Sequence, residues 1–252
     1  MLLALYRAAL GTGFLFFMTT CGAATALFLR GEPRPRFQEA LFGFASGVMT
    51  AASVWSLLIP AMEQTAAQGH FPAWLPACLG TLSGAAFLSA LDALTLRLNP
   101  ASLPASRRQS LLLMTAITLH NIPEGMAVGL ACALSVRNGS AAGAAALALG
   151  IGIQNFPEGA AVALPMRQEC GNPTRAFLLG TLSGVVEPIF GLLVVGATAL
   201  AQSLMPWLLS FAAGAMLYVV AGELAPQSRS PAGTRGYLAG FLLMMALDVA
   251  LG

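Results

Sequence analysis

The chain has 252 residues, 57% of them hydrophobic, with 12 basic and 10 acidic residues and a net charge of +2. Soluble domains carry about 25% charged residues, so a charged fraction of 9% and a mean hydropathy of +0.77 leave too few polar side chains to surround a soluble core; the solvent is lipid. These values exclude a secreted disulfide scaffold, a disordered chain and a nucleic-acid-binding domain, for which there is no basic patch.

Eight apolar stretches follow in chain order, near 8–29, 40–62, 74–96, 110–136, 140–166, 176–201, 206–224 and 236–251. Each is about as long as the roughly 20-residue helix that crosses a bilayer. The first could be taken for a signal peptide, but its run is too long for a cleavable segment, and Arg30, Arg34 and Arg36 follow it as a stop-transfer flank. The connections are too short to hold a soluble domain, so residues 1–252 read as one polytopic, all-α membrane domain. The stretches are rich in alanine and in the 27 glycines, as close helix packing in lipid requires. Cys21, Cys78, Cys132 and Cys170 show no C-x-x-C spacing and read as packing residues.

Every basic residue is arginine. Ten of them (30, 34, 36, 97, 107, 108, 167, 175, 229, 235) fall in the connections after stretches 1, 3, 5 and 7, whereas only Arg7 and Arg137 fall on the other side. The positive-inside rule then places the odd connections in the cytoplasm and both termini outside, in a cytoplasmic (inner) membrane.

Two stretches repeat a phrase. His120-Asn121-Ile122-Pro123-Glu124-Gly125-Met126-Ala127-Val128-Gly129 in the fourth matches Gln154-Asn155-Phe156-Pro157-Glu158-Gly159-Ala160-Ala161-Val162-Ala163 in the fifth at six of ten positions. Phe44-Ala45-Ser46-Gly47-Val48-Met49 resembles Phe211-Ala212-Ala213-Gly214-Ala215-Met216 in the same way. The members of each pair cross the membrane in opposite directions. Opposed repeats with proline-broken helices point to a secondary transporter with a site near the midplane. The expected architecture is an inverted repeat, spans 1–3 against 6–8, around a central pair 4–5. Thr-Leu-Ser-Gly also recurs, at 81–84 and 181–184, without a topological meaning of its own.

Three glutamates, Glu124, Glu158 and Glu187, fall near the middle of spans. An ionised carboxylate there costs about 2.5–3.5 kcal/mol, roughly 8–10 for three, comparable to the whole stability of an ordinary domain. They must therefore face one another, water or a cation. His120 and Glu124 share a helix face at i,i+4, as do Gln154 and Glu158. Asn121 and Asn155 stand about 100° further round. Pro123, Pro157 and Pro188 free the carbonyls of Leu119, Ile153 and Gly184. Met49, with Ser53 and Ser56 beyond it, supplies a thioether and hydroxyls on span 2. Imidazole with carboxylate suits Zn²⁺, Fe²⁺ and Mn²⁺, and a thioether tilts the set toward softer ions. A proton relay, or hydrogen-bonding glue between helices, is the competing use of such residues.

His-Asn-x-Pro-Glu-Gly on span 4, x-x-x-Pro-Glu-Gly on span 5 and Glu-Pro on span 6 resemble the Zrt/Irt-like protein (ZIP) family of divalent-metal transporters, as do eight spans with both termini outside. Phe-Ala-Ser-Gly-Val-Met-x-Ala-Ala-Ser (44–53) and Val-Glu-Pro-Ile-Phe (186–190) resemble its prokaryotic branch. The resemblance implies a first metal site of Met49, His120, Glu124, Gln154 and Glu158, and a second of Asn121, Glu124, Asn155, Glu158 and Glu187, bridged by the shared glutamates. Gln154 stands where many relatives have His, and Asn155 where some have an acidic residue. The resemblance further implies that spans 1, 4, 5 and 6 slide against 2, 3, 7 and 8.

Glu63 and Ser56 are candidates for the entrance and Glu223 for the exit, beside Gly222 where relatives often carry a second polar residue. Asp92 reads as a balance to Arg97, and His70 as a solvated histidine. The expected function is transport of zinc first, with cadmium, iron, manganese and cobalt sharing the ligands, into the cytoplasm. No enzymatic step, resident cofactor or nucleic-acid partner is expected; the partners are divalent metal ions and the lipid bilayer, and a homodimer is compatible with the sequence. An intramembrane metallohydrolase would need more than the chain's two histidines, and a proton-coupled carrier of an organic solute would not need the dense amide and imidazole set.

Overall fold

In hydrocarbon every backbone N–H and C=O needs a partner within the chain, and long apolar runs meet that demand as helices. The computed structural model describes residues 1–28, 35–98, 105–200 and 202–251, among which there is no strand. Arg30 and Arg34, and the side chains of Arg107 and Arg108, lie outside that description.

Eight helices match the eight expected stretches: α1 (Leu2–Phe28), α2 (Pro35–Gln68), α3 (Trp74–Leu98), α4 (Ala105–Asn138), α5 (Ala142–Cys170), α6 (Pro173–Gly184, resumed as Val186–Leu200), α7 (Met205–Leu224) and α8 (Pro231–Leu251). By length and composition α1, α2, α3, α6 and α7 can each cross a membrane. The apolar character of α4 and α5 is diluted by their polar motifs, and α8 carries Arg235 and Asp248.

The helices pack as two groups. In one, α1 lies along α5 and α6, α4 lies along α6, and α4 and α5 run side by side. In the other, α2 lies along α8 and α3 along α7, with α2 and α7 also touching. Lighter contacts of α5 with α2 and α8, and of α4 with α7, join the groups. The motif glycines set the first group's spacing. A Cβ on Gly125 would run into the backbone of Glu187, and one on Gly159 into the backbone of Thr19. Glycine therefore lets α6 approach α4, and α1 approach α5, to backbone contact. That approach carries Glu187 and Thr19 toward the two Pro-Glu-Gly turns.

Proline acts differently at its three sites. Pro123 and Pro157 sit inside α4 and α5 without ending them. Before Glu187-Pro188, in contrast, α6 breaks: Val185 N–H bonds Leu182 O at 3.2 Å, and the helix resumes at Val186 with Glu187 in its first turn. A carboxylate at a helix N-terminus is favoured by the dipole there.

Two helices also change winding. Ser53–Leu58 in α2 and Val220–Leu224 in α7 are π-helical, with Ile59 N–H reaching Val54 O and Ala225 N–H reaching Val220 O. Both turns begin at the same offset beyond the related phrases Phe44–Met49 and Phe211–Met216, so Ser56 and Glu223 hold equivalent places in them. Single π turns inside helices often mark functional sites.

Candidate metal centre

The i,i+4 pair of α4 meets its counterpart on α5 in the middle of the first helix group. His120 Nε2 lies 3.5 Å from Glu124 Oε1 and 3.5 Å from Glu158 Oε1. One ligand atom from each of these three residues falls within 4.8 Å of the others. Gln154 Nε2 donates to Glu124 Oε1, which closes the set across the two helices. Met49 is fully buried on α2 and packs in the hydrophobic core.

A second set adjoins the α6 break. Asn155 Nδ2 donates to Glu187 Oε1 at 2.9 Å, and Thr19 Oγ1 on α1 donates to the same oxygen at 3.1 Å. Asn121 Nδ2 donates to Ser183 O at 3.0 Å, a carbonyl in the last turn before the break, where intrahelical partners run out. Thr19 was not an expected site residue. Its hydroxyl also reaches Leu15 O at 3.2 Å, the bond by which threonine ordinarily hides itself in a membrane helix, so nothing in the sequence sets it apart.

The amide N–H groups of Asn121, Gln154 and Asn155 are thus spent on protein acceptors, and the opposite atoms are left over. His120 Nε2, Asn121 Oδ1, Glu124 Oε2, Gln154 Oε1, Asn155 Oδ1, both carboxylate oxygens of Glu158 and Glu187 Oε2 are buried without a hydrogen-bond partner. The residues that carry them are at most 3% exposed. Each buried polar atom left without a partner costs about 1–3 kcal/mol, so even the six outside the His120 Nε2–Glu158 Oε1 contact would cost an amount comparable to the stability of an ordinary domain. All are oxygens or an imidazole nitrogen, the donors that Zn²⁺, Fe²⁺ and Mn²⁺ take. A divalent cation satisfies several of these atoms at once, which hydrogen-bonding glue between helices would not leave to be done.

Cavities open toward the two ends of the bundle, and one of them reaches the centre at Glu158. At the end of the bundle that holds both termini, a cavity of about 620 Å3 is lined by Ser56, Glu63, Gln64, Ser135, Asn138 and Asp248. Glu63 is exposed there, and Ser56 Oγ donates to Asp248 Oδ1 at 2.6 Å while Asp248 Oδ2 is left without a partner. Asp248, close to the chain's end, was not singled out in the sequence. At the opposite end a largely apolar cavity of about 480 Å3 lies between α2 and α5, with Phe37, Leu41, Phe156 and Glu158 in its wall.

The remaining expected residues stand apart from the ligand cluster. Glu223 is partly buried in the π turn of α7, outside the His120–Glu124–Glu158 group. Asp92 accepts from Tyr218 Oη at 3.1 Å, and among the described residues it makes no ion pair with Arg97. The reading of Asp92 as a balance to Arg97 is corrected accordingly: the tyrosine on the packed neighbour α7 reaches it instead. His70 is exposed in the α2–α3 connection. The four cysteines are free; Cys132 is buried, Cys21 and Cys170 partly so, and Cys78 is exposed.

The comparison with known proteins agrees with this geometry. The family model of the ZIP zinc transporters matches residues 99–248, which include both motifs and the Glu-Pro break. The chain is 35% identical to the human zinc transporter ZIP11 over 98% of each chain. It is 38% identical to the zinc transporter GufA of Myxococcus xanthus, over 83% of this chain and 85% of the relative. It is also 38% identical to the zinc transporter ZIPB of Bordetella bronchiseptica, over 97% and 81%. A buried set of nitrogen and oxygen donors on two repeated helices, together with relatives alike over nearly their full length, makes this multi-pass membrane protein a member of the ZIP zinc transporter family.

Proposed function

We propose that the protein moves divalent transition-metal cations, zinc first, across the cytoplasmic membrane and into the cytoplasm. The observation that carries this reading is the set of eight buried, unpartnered donor atoms on α4, α5 and α6. Cations shed water onto Met49, His120, Glu124, Gln154 and Glu158, and a second ion is held by Asn121, Glu124, Asn155, Glu158 and Glu187, with Glu124 and Glu158 bridging. Cadmium, iron, manganese and cobalt accept the same ligands. The neutral oxygens of Gln154, Asn121 and Asn155 keep the grip weak enough for release. The relatives' names favour transport over hydrolysis.

The arginine distribution supports extracytoplasmic termini, which makes the cavity of Ser56, Glu63 and Asp248 the entrance. The cavity walled by Glu158 then serves release, with Glu223 in the π turn at the end of α7 as the exit-side carboxylate. An inverted repeat of spans 1–3 and 6–8 within one membrane domain is supported by the packing, because α1 on α5 mirrors α6 on α4, and α2 on α8 mirrors α7 on α3. The matched π turns of α2 and α7 support it too.

Movement of one helix group against the other is supported by where the side-chain bonds fall. Thr19–Glu187, Asn121–Ser183, Gln154–Glu124 and Asn155–Glu187 tie the first group, and Ser56–Asp248, Tyr218–Asp92 and Thr81–Ser210 tie the second. Arg137 Nη1 donating to Gln64 Oε1 at 3.2 Å crosses between them at an exposed point. In proteoliposomes, the wild-type protein should take up radioactive zinc over minutes, whereas Glu124→Ala and His120→Ala should fall to the level of empty vesicles. Wild-type uptake by both variants contradicts the site, and peptidase or lipase activity without metal flux contradicts transport.

A further inference from the structure

Arg7 takes no part in the centre, yet its surroundings are built. It lies near the start of α1, beside Ser135 in the last turn of α4 and Ala141 just before α5, so it stands at the depth of the helix ends. Its Nη1 donates to Ser135 Oγ at 2.9 Å, and that hydroxyl donates to Cys132 O at 2.7 Å. The guanidinium is thereby held in one place. No carboxylate among the described residues pairs with it. An arginine at the helix ends reaches the headgroup layer, where its unpaired charge attracts anionic headgroups.

Below Arg7 runs a groove of about 290 Å3, walled by Leu10, Phe14, Ala145, Ala148 and Leu149 between α1 and α5. Leu10 is 58% and Leu149 45% exposed, so the groove opens on the outside of the bundle, away from the metal donors. A fixed cation at the membrane surface above an apolar groove is complementary to an amphiphile with a negative head and an acyl tail. We propose that this groove binds one anionic phospholipid, its phosphate on Arg7 and part of one acyl chain along Leu10, Phe14 and Leu149. The lipid would bridge α1 and α5, two helices of the group that carries the metal donors, and anchor their ends to the headgroup layer.

The test is native mass spectrometry of the purified protein with equal amounts of phosphatidylglycerol and phosphatidylcholine. The wild type should retain one phosphatidylglycerol in preference to phosphatidylcholine. Arg7→Gln should lower that retention about fivefold, the worth of one basic residue at a charged membrane surface, and Arg7→Lys should restore most of it. Leu149→Trp, which fills the groove from its exposed wall, should lower retention while leaving Arg7 in place, and it decides the matter if Arg7→Gln does not fold. Retention unchanged in both variants overturns the proposal. So does displacement of the lipid by millimolar inorganic phosphate, which would make the site one for a free anion. A shift of Arg7→Gln between monomer and dimer with lipid retention intact would assign the groove to a second copy and equally overturn it.

Discussion

Glu187 shows how a carboxylate survives at the centre of a membrane protein. One of its oxygens receives two donors, from Asn155 on α5 and Thr19 on α1, and the other is left free, so the residue is half satisfied and aimed. Groups that hold a metal ligand in place commonly change metal affinity 10–100-fold when removed. Thr19→Val keeps the shape of the side chain and deletes its donor. It should weaken the binding of the second ion by roughly tenfold, with the binding event at His120 retained, as read by calorimetric titration of zinc into the purified protein. An isotherm identical to wild type would show that Glu187 does not depend on Thr19. At this scale the motif residues were legible because polar groups are rare in such a chain: His120, Glu124, Gln154, Asn155 and Glu158 announce themselves. Thr19 was not legible, since its role depends on α1 meeting α6 across 168 residues of sequence.

Among the elements, the π turns were not legible and proline was only partly so. The breaks expected at the repeated motifs are absent, since α4 and α5 run on through Pro123 and Pro157, and the helix that breaks is α6, before Glu187-Pro188. Ser53–Leu58 has an ordinary apolar composition, and a helix accommodates one extra residue in a turn only in response to what packs against it. The consequence is functional: the wider turn of α2 includes Ser56, whose hydroxyl bonds Asp248 on α8 in the cavity at the termini end. Acidic side chains in such a cleft concentrate cations before they bind. Asp248→Asn keeps the bond to Ser56 possible and removes the charge. It should raise the KM for zinc uptake by about tenfold at low ionic strength, with the maximal rate largely kept and the difference narrowing as salt is added. A lowered maximal rate at unchanged KM would place Asp248 outside the entry path.

For the whole molecule, eight apolar helices and their central polar pair could be read from hydropathy and repetition, whereas the grouping of 1, 4, 5 and 6 against 2, 3, 7 and 8 came only from the family resemblance. Within the first group, glycine brings helices far apart in the chain to backbone contact, as Gly125 does against Glu187 and Gly159 against Thr19. If the groups move past each other, a covalent bridge between them should stop transport and a bridge within one should not. Cysteines at Gln64 and Arg137, joined by a short bifunctional thiol reagent, should abolish zinc uptake. The same treatment of cysteines at Thr81 and Ser210, both in the second group, should leave most of it. Equal uptake in the two bridged proteins would rule out a sliding mechanism.

The central claim is that the unpartnered atoms of α4, α5 and α6 are the ligands of a divalent ion in transit, and diffraction at the zinc absorption edge tests it most directly. Crystals grown with zinc should show anomalous peaks among His120, Glu124, Gln154 and Glu158, and between Glu124, Glu158 and Glu187, with the two carboxylates common to both. Protein that transports zinc yet shows no anomalous density at these residues, with zinc bound elsewhere, would contradict the account.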